Sequence, residues 1–258
     1  MSDRQLGVCL LSCVRHQGTY APLLAAHPHL QIICVADEPD VPEWMHDVNR
    51  TCAGRYRVPH LSIEDALARP DVDLVSVCSE PTRHARLALR SLHAGKHTLV
   101  DKPMAVNVDE AQRIHDQVNQ SGLKLTYIQH LFNENVMEAR KLIDSGQLAV
   151  PWAFHMDIIA GGGLDPVAVE DFEMVVNPAL SGGGELMNWL NYAIGTLRFL
   201  SGLEIESVYA QADTFFFEPH RCYGVEDFGI VALHFERGVT ATVTAGRIPA
   251  KIDAVPGS

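Results

Sequence analysis

The sequence predicts an α/β protein: an N-terminal Rossmann-like parallel sheet, then a second α+β domain built on a mostly antiparallel sheet. Three observations predict it. Short apolar runs without alternation, such as Leu74–Cys78, recur in the first half, and strands buried on both faces of a parallel sheet read this way. Asp71–Pro103 places strand, helix and strand in about thirty residues, the length of a right-handed crossover. After Trp152, helices mix with antiparallel-looking strands, the last two joined across Glu236-Arg237-Gly238 as a hairpin.

Taken in order, Leu6–Ser12 is a buried strand, Tyr20–His27 a short helix, and Leu30–Ala36 a second strand closed by Asp37. This is where a mononucleotide fold puts its first βαβ unit. Arg50–His60 fits neither period. Ser62–Ala68 is a short helix capped by Ser62, with Asp65 three residues on. In the central unit, Pro81 suits a first helical turn, Ala85, Ala88, Leu89 and Leu92 recur at helical spacing, and Gly95 ends the helix. The strand His97–Val100 stops on Asp101-Lys102-Pro103, just past a strand's carboxyl end, where open α/β sheets bind ligands. Val108–Gln120 is an amphipathic helix ended by Gly122, and Leu123–Ile128 is the sixth strand.

The expected domains are residues 1–123 and 124–258. In the second, Val136–Ser145 is a helix stopped by Gly146 and Trp152–Ile159 a strand. Gly161–Gly183 reads as a long glycine- and acid-rich loop, a length that tends to be functional or disordered. Leu186–Leu200 is a helix, and Ile205–Asp213, Phe228–Phe235 and Val239–Ala245 are strands.

Composition excludes several classes. A net charge of −12 without a basic cluster argues against nucleic acid or an anionic membrane as partner. Cysteines 9, 13, 34, 52, 78 and 222 form no CxxC pair, and Cys9, Cys34 and Cys78 sit in apolar runs as buried thiols do. The start, MSDRQ, has no signal-peptide pattern and no apolar run reaches membrane-spanning length, so a cytoplasmic protein is expected. The histidines lie on separate elements, and His93 and His97 straddle Gly95, so no bound metal is expected.

The turn after the first strand should carry G-x-G-x-x-G if it receives a dinucleotide. Instead Leu11 and Cys13 stand where the first two glycines belong. Side chains there should push the phosphates outward or force the loop onto another path. Ser12, Arg15, His16 and the amides leading to Gly18 are left to hold an anion; a merely tight turn is the alternative. Asp37 lies where an acid accepts hydrogen bonds from the adenosine ribose, unless it is a solvated strand end. Glu38 follows it, and two carboxylates should repel a 2′-phosphate, which favours NAD over NADP.

The run Ser79–Pro81, His84, Ala94–His97 and Asp101-Lys102-Pro103 resembles the Gfo/Idh/MocA oxidoreductases, and the likeness continues through Lys124, Lys141–Gly146 and Asn177–Gly184. Those proteins are nicotinamide-dependent dehydrogenases of sugars, cyclitols and related polyols, with Glu-Lys-Pro where this chain has Asp101-Lys102-Pro103. The resemblance implies cofactor contacts at Ser79, Pro81, His84, Asp101, Lys102 and Gln129, with the nicotinamide near Gln129 and His130. On the helix after Gly184 most relatives carry an Asp and, four residues on, a His; here these are Asn188 and Tyr192. Tyrosine at the second place resembles the glucose–fructose oxidoreductase branch, where a phenol takes the acid–base role. The implied site has Lys102 polarising the substrate oxygen and lowering the pKa of the Tyr192 phenol, which relays the proton, while Asn188 positions substrate.

Relatives continue with further strands, so the chain is expected to be either shortened or a reduced member with an exposed sheet edge, and an unpaired edge favours a homo-oligomer. The resemblance also admits a dinucleotide-binding sensor without turnover, against which the retained Lys102 argues. It further admits a reductase of another ligand, because biliverdin reductases look similar around Cys78–Glu80.

Overall fold

The structure is a computed structural model that describes residues 4–129, 131, 133–164 and 171–249. The chain divides into two compact units, Met1–Ile128 and Gln129–Ser258.

The first unit contains β1 (Leu6–Leu11), α1 (Gln17–Ala26), β2 (Leu30–Asp37), α2 (Glu43–Tyr56), β3 (His60–Ser62), α3 (Ile63–Ala68), β4 (Leu74–Val77), α4 (Pro81–His93), β5 (His97–Val100), α5 (Val108–Ser121) and β6 (Leu125–Tyr127). Its six strands pair in parallel in the order β3-β2-β1-β4-β5-β6. Because β6 pairs with β5, the first unit runs to Ile128, past the 123–124 boundary drawn from the sequence.

The apolar runs are strands because side chains on both faces find a core. Cys9, Leu11, Cys34 and Ala36 enter one cluster, while Val8, Leu10, Ile32 and Val35 enter the other. Strand order reverses between β1 and β4, and such a switch point opens a crevice at the carboxyl ends of the strands. Ser12, Asp37, Ser79 and Asp101 all follow or end strands at that edge.

Capping follows the sequence. Ser62 Oγ accepts from the Asp65 amide at 3.1 Å, Asn107 Oδ1 accepts from the Glu110 amide at 2.8 Å, and Gly122 closes α5 at φ 66°. One long helix had no clear period: α2 occupies much of the ambiguous stretch. It buries Met45, Asn49 and Ala53. Asn49 is polar yet fully enclosed because it bridges Asp37 and the Cys13 amide, so no apolar stripe announces the helix.

The second unit contains α6 (Glu134–Asp144), β7 (Ala153–Ala160), α7 (Glu173–Val176), α8 (Pro178–Ser181), α9 (Glu185–Ser201), β8 (Ile205–Asp213), α10 (Glu218–Tyr223), β9 (Phe228–Phe235) and β10 (Thr240–Arg247). The sheet order is β7-β10-β9-β8. The β8–β9 and β9–β10 pairs are antiparallel, as expected, and β7 joins β10 in parallel. The hairpin turns through a short 3₁₀ segment, Glu236–Gly238. Ala193 and Leu197 of α9 pack with Val231, Leu233, Ala241, Val243 and Ala245 of the sheet. The stretch expected as a plain loop, Gly161–Gly183, is a correction: its described part contains α7 and α8, with Asn177 capping α8. Among the described residues, no helix is long and apolar enough to cross a membrane.

Candidate functional site

In the first unit, the turn after β1 supplies a left-handed residue at Ser12, φ 61°, between the two positions where glycines were expected. A non-glycine residue held there costs on the order of 1–3 kcal/mol. The Ser12 amide donates to Ala36 O at 2.8 Å and the Cys13 amide to Asn49 Oδ1 at 2.8 Å, which fix the loop path. Ser12 Oγ and Gln17 Nε2 are buried and lack a hydrogen-bond partner among the described residues. The α1 N-terminus begins after His16 with no side-chain cap. Orphaned donors beside an uncapped helix start fit an anion such as a diphosphate. Arg15 is tied to the residue that follows β4 through its amide, which donates to Cys78 O at 3.1 Å.

Asp101 staples this turn to the end of β5. It is 1% exposed; its Oδ2 pairs with His16 Nδ1 at 2.7 Å, and its Oδ1 accepts from the Tyr20 hydroxyl at 3.1 Å and the Lys102 amide at 2.8 Å. Burial acts to raise its pKa, but the His16 hydrogen bond and the nearby positive charges outweigh burial and bring it down to about 2. Lys102 is buried and begins a cis Lys102–Pro103 peptide.

His84 is fully buried, with Nδ1 2.6 Å from Pro103 O and Nε2 2.8 Å from Ser79 O. Its ring therefore joins the two turns, with both nitrogens turned to backbone. Burial pushes its pKa below the usual imidazole value, against the pull of Asp101 and these carbonyls. Ser79 is buried, its hydroxyl donating to Glu80 O at 3.1 Å, and Pro81 is the buried first residue of α4.

Asp37 ends β2 with its carboxylate enclosed by protein. Oδ1 accepts from Arg83 Nη1 at 2.6 Å and the Glu38 amide at 2.8 Å; Oδ2 accepts from Asn49 Nδ2 at 2.8 Å. Burial raises its pKa, yet the hydrogen bond and charge of Arg83 prevail and hold it below the ordinary value. Arg83, which sequence reasoning missed, is 4% exposed and also grips Glu80, through Nε at 2.5 Å and Nη2 at 2.9 Å. Glu38 in turn accepts from Arg83, Arg86 and Arg90. Asp37 is therefore not the solvated strand end that the sequence left open: both it and Glu38 are buried and paired with arginine, because α4 presents a basic face to the end of β2.

In the second unit, α9 carries Asn188 and Tyr192. Its start requires Gly184: a Cβ there would lie 2.2 Å from Glu226 O, which accepts the Glu185 amide at 3.0 Å. Glu185, also missed by sequence reasoning, is completely buried. It accepts from Arg247 Nε at 2.5 Å, Asn188 Nδ2 at 2.9 Å and Trp189 Nε1 at 2.7 Å, with His220 Nε2 at 3.5 Å. Burial acts to raise its pKa, but His220, Arg247 and Asn188 together lower it to about 2. The Asn188 amide is thus oriented with its NH₂ toward Glu185. Tyr192 is 7% exposed, its ring 6.1 Å from that of Trp189. Gln129 lies against Gly195, where a Cβ would stand 2.5 Å from Oε1, and both its amide atoms are buried without a partner among the described residues. His130 lies outside the described residues. Among the described residues, no group of three His, Cys, Asp or Glu side chains could hold a metal ion.

Residues 16–129 match the model of an oxidoreductase family with an NAD-binding Rossmann fold, and residues 136–251 match the GFO/IDH/MocA C-terminal domain. The myo-inositol 2-dehydrogenase of Thermotoga maritima is 24% identical over 74% of this chain and 54% of its own length. The aldose–aldose oxidoreductase of Caulobacter crescentus, solved with glycerol, superposes with a TM-score of 0.75 at 28% identity, over 94% of this chain and 71% of that one. GenD2 of gentamicin A biosynthesis, solved with NAD, shares the fold with a TM-score of 0.79 at 22% identity, over 94% of this chain and 66% of that one. The chain spans about half the length of curated relatives it matches.

Proposed function

The chain belongs to the Gfo/Idh/MocA family of NAD-binding oxidoreductases, and from that premise we propose that it transfers a hydride between NAD and a sugar, cyclitol or related polyol. The observation that carries this reading is Lys102, a buried cation on the Asp101-Lys102-Pro103 turn at the carboxyl edge of the parallel sheet. When bound, the nicotinamide supplies the hydride acceptor or donor.

The chain's own residues do the rest. Ser12 Oγ, Gln17 Nε2 and the α1 N-terminus hold the diphosphate, with Arg15 and His16 beside them. Asp37 accepts from the ribose through Oδ2, which carries one protein donor against two on Oδ1. Ser79 and Pro81 shape the turn that His84 holds in place, Asp101 holds the turn after β1 through His16 and Tyr20, and Gln129 offers its amide to the cofactor. Lys102 polarises the substrate oxygen, and Tyr192 passes the proton. Asn188, its NH₂ committed to Glu185, presents Oδ1 to a substrate hydroxyl.

The partners that fit are a small polyol or sugar and a second copy of the chain, in the cytoplasm, without nucleic acid. The long edge strand β8, with exposed Val208 and Tyr209, supports the second copy; light scattering on the purified protein reports it. The activity is tested by screening polyols, inositols and sugar acids for change in reduced-nicotinamide absorbance. Lys102→Met and Tyr192→Phe should each lower turnover by roughly 10²–10⁴-fold, the range of a positioned acid–base group. The double variant should be little worse than either single one if the two groups act as a unit. Affinity for NADH should change far less. Turnover that survives both substitutions would remove these residues from the mechanism, and NADH binding without turnover on any substrate would favour a sensor.

A further inference from the structure

Three arginines on one face of α4 converge on Glu38. Arg83, Arg86 and Arg90 are spaced three and four residues apart, so successive turns of the helix bring them to the same side. Arg86 donates to Glu38 Oε2 through Nη2 at 2.5 Å and Nε at 3.1 Å; Arg83 Nη1 reaches the same oxygen at 3.2 Å, and Arg90 Nη1 reaches Oε1 at 3.2 Å. The three differ in what else they hold. Arg83 has Asp37 and Glu80, and Arg90 has Glu64. Among the described residues Arg86 is ion-paired with Glu38 alone. Its side chain is 56% exposed, whereas that of Glu38 is 9% exposed.

We propose that Glu38 is the residue that makes this protein select NAD over NADP, and that it does so by occupying Arg86. The two nucleotides differ by one phosphate on the adenosine ribose, and a Rossmann-like sheet reads that ribose at the acid ending its second strand. Glu38 is the next residue after that acid. A phosphate dianion arriving there needs an arginine fork, and the exposed fork at this strand end is Arg86. Glu38 holds that fork and adds a charge of the wrong sign. Four carboxylates (Asp37, Glu38, Glu64, Glu80) stand against three guanidiniums (Arg83, Arg86, Arg90) in the cluster, a formal balance of −1. Neutralising Glu38 brings the balance to zero and releases Arg86 to solvent. Selectivity here is a blocked attraction, which discriminates against one partner without adding contacts to the other.

The inference rests on the proposed reading of the first unit as a dinucleotide site. It is tested by fluorescence titration of NADH and NADPH against the full chain, the variants Glu38→Gln, Arg86→Ala and their combination. Arg83 keeps two carboxylates and Arg90 keeps one in Glu38→Gln, so the fold is retained; a circular dichroism melt confirms it, and Glu38→Ala serves as a second neutral variant. The unmodified chain should bind NADPH at least about tenfold more weakly than NADH. Glu38→Gln should tighten NADPH by about tenfold and move NADH by less than about threefold. The gain should vanish in Glu38→Gln/Arg86→Ala, and should shrink in high salt, which screens an exposed arginine–phosphate contact. Unchanged NADPH affinity in both neutral variants overturns the proposal, as does a gain that persists without Arg86, provided NADH binds. A chain that binds neither nucleotide overturns the dinucleotide reading itself, and Glu38 loses its role with it.

Discussion

A carboxylate at a strand end can serve a ligand only with the lone pairs its own protein leaves open. Asp37 uses both oxygens internally, for Arg83, the Glu38 amide and Asn49. Asp37→Ala should therefore lower fold stability by about 3 kcal/mol, since it strips one carboxylate from a buried guanidinium. It should also weaken NADH by roughly tenfold or more through the lost charged hydrogen bond. Urea unfolding and NADH titration measure the two effects separately, and an unmoved unfolding midpoint would contradict the structural half. Asp37 was legible in the sequence because strand-end position alone singles it out. Arg83 was not, because it is one of three arginines on a helix and nothing in one dimension marks which of them is buried. Glu185 escaped for a related reason: an acid at a helix start reads as a dipole partner, and its pairing with Arg247 spans 62 residues.

At the scale of elements, the strands of the first unit were legible from their unbroken apolar runs except β3, whose three residues His60–Ser62 carry no such run, and the parallel topology followed from the crossover lengths. The helix α2 and the short helices α7, α8 and α10 were not: they lean on polar bridges and caps, or have too few turns to display a period. The turn after β1 shows what a missing motif does and does not mean, since Ser12 takes the left-handed conformation that neither flanking residue needs. Glycine matters more at Gly7 in β1, where a Cβ would meet Asp71 O at 1.9 Å and Ile33 Cδ1 at 2.8 Å. Gly7→Ala should force the segment before β4 away from β1 and cost at least about 2 kcal/mol. Gly54, exposed inside α2 with open space around it, is the opposite case, and Gly54→Ala should add about 0.5–1 kcal/mol. Thermal melts of the two variants should move in opposite directions; a stabilised Gly7→Ala would mean that β1 and the segment ahead of β4 are not packed as described.

For the whole molecule, each unit keeps an ionised carboxylate in its interior, Asp101 in the first and Glu185 in the second, both held at about 2. An unfolded chain titrates such groups near pH 4. A depressed carboxylate contributes stability that is complete above its unfolded pKa and is lost as pH falls toward the folded one. Each shift of roughly two units corresponds to about 2–3 kcal/mol, so acid should weaken both units between about pH 4 and pH 2. His84 acts earlier. Its folded pKa lies below the ordinary imidazole value, so the unfolded chain binds the proton first, and stability starts to fall as pH drops below about 6.5. Half-buried His60 adds to this in the same direction, its pKa lowered by burial and by His46. The urea midpoint should be flat from pH 8 to 7, decline gently from about 6.5 to 4.5, and drop steeply below about 4. Asp101→Asn should flatten the steep limb for the first unit and Glu185→Gln for the second, each with a lower midpoint at neutral pH because His16 loses a hydrogen-bond acceptor and Arg247 its counter-charge. A midpoint that stays level from pH 7 to 3 in the unmodified chain would mean that these carboxylates are not paired in the folded state.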